Sequence, residues 1–146
     1  MRLLRERKRK KRKDLSMKTS FVDTNVFLEV FARKGEKSDR CLDLLEGGKK
    51  IWTSSFVVAE IEWVLRAGYG LKREETVFYL KGLFSLSNLK VENRKTLLNA
   101  LGLYENSKVD WVDCVNALLI KKKELKEIYS YDKHYDKFDW VVRREP

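Results

Sequence analysis

Short apolar runs of β-like composition alternate along this chain with segments of helical period, and this alternation constrains the fold more than any other feature. The runs Thr19–Val22, Lys50–Thr53, Leu89–Glu92, Glu127–Tyr131 and Trp140–Arg143 read as strands. Between them the spacing predicts helices over Val26–Ala32, Ser38–Leu45, Ser55–Ala67, Arg73–Leu86, Arg94–Glu105 and Trp111–Leu125. The second ends at Gly47-Gly48 and the third at Gly68, as helix C-termini often do. The sixth closes on Lys121-Lys122-Lys123, where cations suit the negative end of the helix dipole. Such alternation predicts an α/β fold with a central parallel sheet of about five strands flanked by helices. With right-handed crossovers the strand C-termini share one edge of that sheet, so acids placed there converge.

A chain of 146 residues builds one domain, here taken as residues 17–146, and so one active centre. The two cysteines, Cys41 and Cys114, lie in apolar runs and read as free thiols of a reducing compartment. His134 is the only histidine, and no CxxC is present, which disfavours zinc and Ser-His-Asp chemistry. No apolar run reaches membrane-spanning length and the N-terminus has no apolar leader core, so a cytoplasmic location is expected. The net charge of +10 is uneven: residues 1–16 hold nine Lys/Arg against two acids. That segment is self-repelling, without an apolar face, and is expected to be disordered in isolation. Two readings stay open for it, a phosphate-gripping arm and an extension upstream of a start at Met17.

Four carboxylates stand where such a fold gathers ligands. Asp23 directly follows the first strand and opens the helix beginning Thr24-Asn25, a place that also suits an N-cap. Glu60 falls on a helical stripe with Phe56, Trp63, Val64 and Ala67. That stripe reads as core-facing, whereas Glu62, roughly 200° around the helix, reads as a surface acid. Asp113 follows Asp110 by three residues, so a capping arrangement explains it as well as a site does. Asp132 repeats the strand-then-acid pattern, with Ser130 two residues earlier as a hydroxyl able to serve a ligand or a carboxylate. Asp136 and Asp139 read as solvated or capping. Carboxylates gathered in this way raise one another's pKa, and a hard divalent ion, Mg²⁺ or Mn²⁺, relieves the repulsion.

Taken in order, Phe21-Val-Asp-Thr-Asn-Val-Phe-Leu28, Val57-Val-Ala-Glu60, Val109-Asp-Trp-Val-Asp-Cys-Val-Asn-Ala117 and Tyr129-Ser-Tyr-Asp-Lys-His-Tyr135 resemble the PIN-domain ribonucleases, and among them the VapC-type toxins of toxin–antitoxin modules. The resemblance runs from Met17 to the C-terminus. It implies metal-assisted hydrolysis of RNA, with Asp23, Glu60, Asp113 and Asp132 holding Mg²⁺ or Mn²⁺ and Thr24, Asn25 and Ser130 in support. It further implies an RNA substrate, an antitoxin partner and a homodimer. Ser130 departs from the Thr usual in the family, but keeps the hydroxyl. A housekeeping RNA-processing nuclease and a non-catalytic RNA-binding protein are the alternatives. A haloacid-dehalogenase phosphatase would need an acid where Asn25 stands, and a receiver domain would need acids that Thr53-Ser54 and Val91-Glu92 do not supply.

Overall fold

The computed structural model describes residues 5–7 and 18–146. Residues 5–7 are an exposed helical fragment, and the remainder of the expectation for residues 1–16 lies outside the described residues. Three strands, β1 (Ser20–Phe21), β2 (Ile51–Thr53) and β3 (Leu89–Val91), pair in parallel in the order β1-β2-β3. Two more, β4 (Glu127–Tyr129) and β5 (Val142–Arg144), form a separate parallel ribbon. The α/β class and the parallel pairing therefore hold, whereas the single sheet of about five strands is corrected to three plus two. Composition explains the split. A strand inside a parallel sheet is covered on both faces and must be apolar on both. β4 exposes Glu127 and Tyr129 around a half-buried Ile128, and β5 offers Val-Arg-Arg. Glu127 and Arg144 pair across this ribbon at 2.6 Å, an edge suited to water.

Six helices follow the expected order among the described residues: α1 (Thr24–Ala32), α2 (Glu36–Glu46), α3 (Ser55–Trp63), α4 (Arg73–Ser85), α5 (Arg94–Asn106) and α6 (Trp111–Lys122). α3 widens into a π-helical stretch over Val64–Gly68, and a 3₁₀ turn spans Lys133–Lys137. Two acceptors fix the start of α3: the Ser54 hydroxyl takes the Val57 N–H, and the Glu92 carboxylate, just past β3, takes the Ser55 N–H. The buried core joins Ile51 of β2, Val58, Ile61 and Leu65 of the α3 segment, Leu80 and Leu83 of α4, and Tyr104, Trp111, Cys114 and Ala117 of α5 and α6. Cys114 is thus buried as expected, while Cys41 is only half-buried. From the start of α4, Arg73 reaches the α5–α6 corner. Its guanidinium donates to the carbonyls of Tyr104 (2.9 Å) and Val109 (2.8 Å) and lies over the Tyr104 ring. That staple sets the corner, and with it the first turn of α6.

Candidate metal centre

The first turn of α6 carries Asp113 half-buried between Trp111 and Cys114, which are both buried. Asp110 is the N-cap residue, yet its side chain makes no capping hydrogen bond. The capping explanation for this Asp-x-x-Asp pair therefore fails. Asp113 instead accepts a hydrogen bond from the Tyr135 hydroxyl at 3.0 Å, and Asn116 donates to the same hydroxyl at 3.3 Å. Tyr135 is buried in the 3₁₀ turn, whose exit is docked on α6 by Trp140: its indole N–H donates to the Ala117 carbonyl at 2.8 Å. Phe138 packs between the two rings.

This docking brings Asp132 to Asp113. Asp132 starts the 3₁₀ turn and accepts the His134 backbone N–H at 2.9 Å. The Ser130 hydroxyl accepts the Asp132 N–H at 3.0 Å and so shapes the turn. Arg143 braces the same loop, donating to the Ser130 carbonyl and pairing with Asp136. One ligand atom each from Asp113, Asp132 and His134 lies within 4.8 Å of the other two. Burial raises the pKa of Asp113, the nearby Asp132 and Asp110 add to the shift, and the Tyr135 donor opposes it. The His134 backbone N–H lowers that of Asp132. Tyr135 is pushed up to about 12, chiefly by burial, and stays a hydrogen-bond donor. Two close carboxylates, one carrying a raised pKa, form a donor set that fits a hard divalent ion.

Among the described residues, Asp23 and Glu60 stand outside that group. Asp23 is exposed at the end of β1, where it accepts the Thr24 N–H at 2.8 Å. The buried Thr53 hydroxyl fixes this corner by donating to the Val22 carbonyl at 2.8 Å, while Thr24 is buried and Asn25 exposed. Because β1 and β4 belong to separate sheets, no ladder locks the end of one beside the end of the other.

The core-facing stripe expected for Glu60 is corrected. α3 buries Val57, Val58, Ile61 and Leu65, which turns Phe56 (83% exposed), Glu60 and Trp63 (65%) outwards. The glutamate that does enter the interior is Glu62, which accepts the hydroxyl of the fully buried Tyr104 and has Arg66 3.8 Å away. Glu62, Arg66 and Trp63 face Asp110, Val112 and Asp113 across a cleft of about 430 Å³ between α3 and α6. Sequence reasoning thus missed Glu62 and His134. The signal for Glu62 was its fit to the Val58–Leu65 stripe, and for His134 its place two residues after Asp132.

A family model described as the PIN domain matches residues 20–141, and the chain belongs to that family. It is similar to a VapC ribonuclease of Aquifex aeolicus (strain VF5), with 24% identity over 120 residues that cover 80% of this chain and 89% of that protein. Among solved structures it is similar to VapC20 of Mycobacterium tuberculosis, described as a sarcin-ricin-loop-cleaving toxin. That likeness has a TM-score of 0.41 and 17% identity, covering 84% of this chain and 97% of the other.

Proposed function

We propose that this chain is a metal-dependent endoribonuclease that hydrolyses RNA phosphodiester bonds as the toxin of a type II toxin–antitoxin pair. The observation that carries the reading is the convergence of Asp113 and Asp132 beside an open cleft in a chain of the PIN-domain family. Its similarity to a VapC ribonuclease supports RNA as the substrate and an antitoxin as the partner. Asp113 and Asp132 would hold Mg²⁺ or Mn²⁺, with Asp23 and Glu60 completing the acidic set from β1 and α3. Bound there, such an ion supplies a water of lowered pKa and offsets charge on the phosphoryl oxygens.

The chain's own groups do the rest. The Tyr135 hydroxyl holds Asp113 in place and disperses its charge. Thr24, through its backbone N–H, orients Asp23, and Ser130 sets the turn that aims Asp132. Across the cleft, Arg66 is held by Tyr104 and Glu62, and its guanidinium suits an RNA phosphate entering between α3 and α6. The exposed apolar face of Phe56, Trp63 and Val112 supports a protein partner, either the antitoxin or a second copy in a homodimer. Among the described residues no helix is long and apolar enough to cross a membrane; a cytoplasmic location forms part of this reading through the likeness to a VapC ribonuclease.

The test is cleavage of RNA by purified, untagged protein with Mg²⁺ or Mn²⁺. Chelation should stop it, and Asp132→Asn should slow it by about 10²-fold or more with unchanged thermal unfolding. Wild-type protein that cleaves no RNA with either ion, and does not slow growth when expressed, would overturn the reading.

A further inference from the structure

We propose that His134 supplies a nitrogen ligand to the metal centre, so that the site prefers a first-row transition ion such as Mn²⁺ to Mg²⁺. The inference rests on the metal-nuclease reading above and adds a ligand and a selectivity to it.

The ring nitrogen Nδ1 of His134 is buried and has no hydrogen-bond partner, alone among the buried side-chain polar atoms of the described residues. It lies 3.2 Å from the Asp132 carboxylate. That oxygen already takes the His134 backbone N–H, and the ring is not aligned to add a second hydrogen bond. Since the side chain as a whole is 43% exposed, only this nitrogen, not the entire ring, is withdrawn from water. Leaving a buried polar atom unpaired is costly, and each such atom in a native fold asks for a reason.

The geometry gives one. Nδ1 and single oxygens of Asp113 and Asp132 all lie within 4.8 Å of one another. Ligands bound about 2.1 Å from one small ion stand at most about 4.2 Å apart, so a slight contraction of this trio brings all three onto a common centre. A neutral imidazole offers its Nδ1 lone pair to a metal, and the fold aims that atom at the two carboxylates. Oxygen-only sites suit Mg²⁺, whereas an imidazole in the set favours transition ions in the order of their nitrogen affinity. The competing explanation is a protonated His134 in an ordinary ion pair with Asp132, which would leave the centre with oxygen ligands alone.

Because the chain contains a single histidine, imidazole coupling to a bound ion has one source. Mn²⁺ is titrated into the full-length, untagged protein, and ¹⁴N modulation is recorded by pulsed electron paramagnetic resonance. Modulation from one imidazole is expected, and His134→Gln should abolish it. The same substitution should weaken Mn²⁺ binding by about tenfold or more, and Mg²⁺ binding by less than about threefold. Mn²⁺ bound through oxygen alone, no Mn²⁺ binding, or equal losses for the two ions would overturn the proposal. Should His134→Gln fail to fold, the wild-type spectrum decides by itself. RNA cleavage measured in parallel separates the two readings. Cleavage by a protein whose Mn²⁺ shows no nitrogen sinks the ligand assignment and leaves the nuclease. Nitrogen-coupled Mn²⁺ in a protein that cleaves no RNA does the reverse.

Discussion

Two glutamates on α3, Glu60 and Glu62, meet opposite environments. Glu60 projects from the exposed face, so replacing its charge touches no packing. Glu60→Gln should leave thermal unfolding within about 0.5 kcal/mol of wild type, yet depress RNA cleavage if its carboxylate completes the acidic set. Glu62 is buried and accepts the Tyr104 hydroxyl, which has Arg66 as its other neighbour. Truncation in Glu62→Ala strips a buried hydroxyl of its acceptor, and this should cost roughly 1–3 kcal/mol, read as a lowered denaturant midpoint. Equal stability losses in both variants would contradict the opposite burial of the two side chains. The local pattern points the other way because Phe56 and Trp63 look like core residues. Apolar side chains, however, furnish much of any protein surface, so an aromatic pair does not by itself mark the buried face. The partner that identifies Glu62, Tyr104, is 42 residues away and leaves no trace in a helical window.

Helix positions were legible because each rests on local periodicity and capping, and the six expected helices are the six observed, within about two residues at most ends. α6 is shorter than expected, stopping at Lys122 with Glu124 in the left-handed conformation at φ 56°. Only Gly adopts that conformation without strain from its Cβ, so Glu124→Gly should raise stability by about 0.5–1 kcal/mol in chemical denaturation. The sheet was less legible, since which strands pair is a long-range outcome that composition of β4 and β5 decides only once their neighbours are known. Helices α1 and α2 are joined by polar contacts between residues near in sequence: buried Glu29 accepts Arg33 at 2.6 Å and Lys37 at 2.8 Å, with the Ser38 hydroxyl 3.5 Å away. Lys37 does most to hold the Glu29 pKa below the ordinary glutamate range, Arg33 adds to it, and burial opposes both. A depressed folded-state pKa means stability that is complete above the unfolded glutamate value and disappears as pH falls through the folded one. Unfolding midpoints of wild type and Glu29→Gln should therefore differ at neutral pH and converge in acid below that folded value. A gap that persists there would assign the effect to packing rather than charge.

At the scale of the whole molecule, the acidic centre and the positive charge occupy different parts of the chain. Residues 1–16 hold nine Lys/Arg against two acids, which leaves residues 17–146 only mildly basic in a chain of net charge +10. On the proposed reading, RNA brings its phosphates to Asp113 and Asp132, whose carboxylates repel them in the absence of a cation, so attraction from elsewhere has to offset the approach. If the N-terminal segment grips phosphates, it releases counterions, and the affinity for single-stranded RNA falls with salt at a log–log slope of about −0.7 for each phosphate neutralised. We expect a chain starting at Met17 to bind RNA with a shallower slope than the full chain, by about 0.7 for each phosphate that the segment grips. Its cleavage rate at saturating RNA should be unchanged, because the acids, Tyr135 and the α5–α6 corner all lie within the PIN domain. Equal slopes would assign RNA attraction to Arg66 and its neighbours alone and leave residues 1–16 outside the binding surface. A reduced cleavage rate at saturation would instead tie that segment to the centre itself.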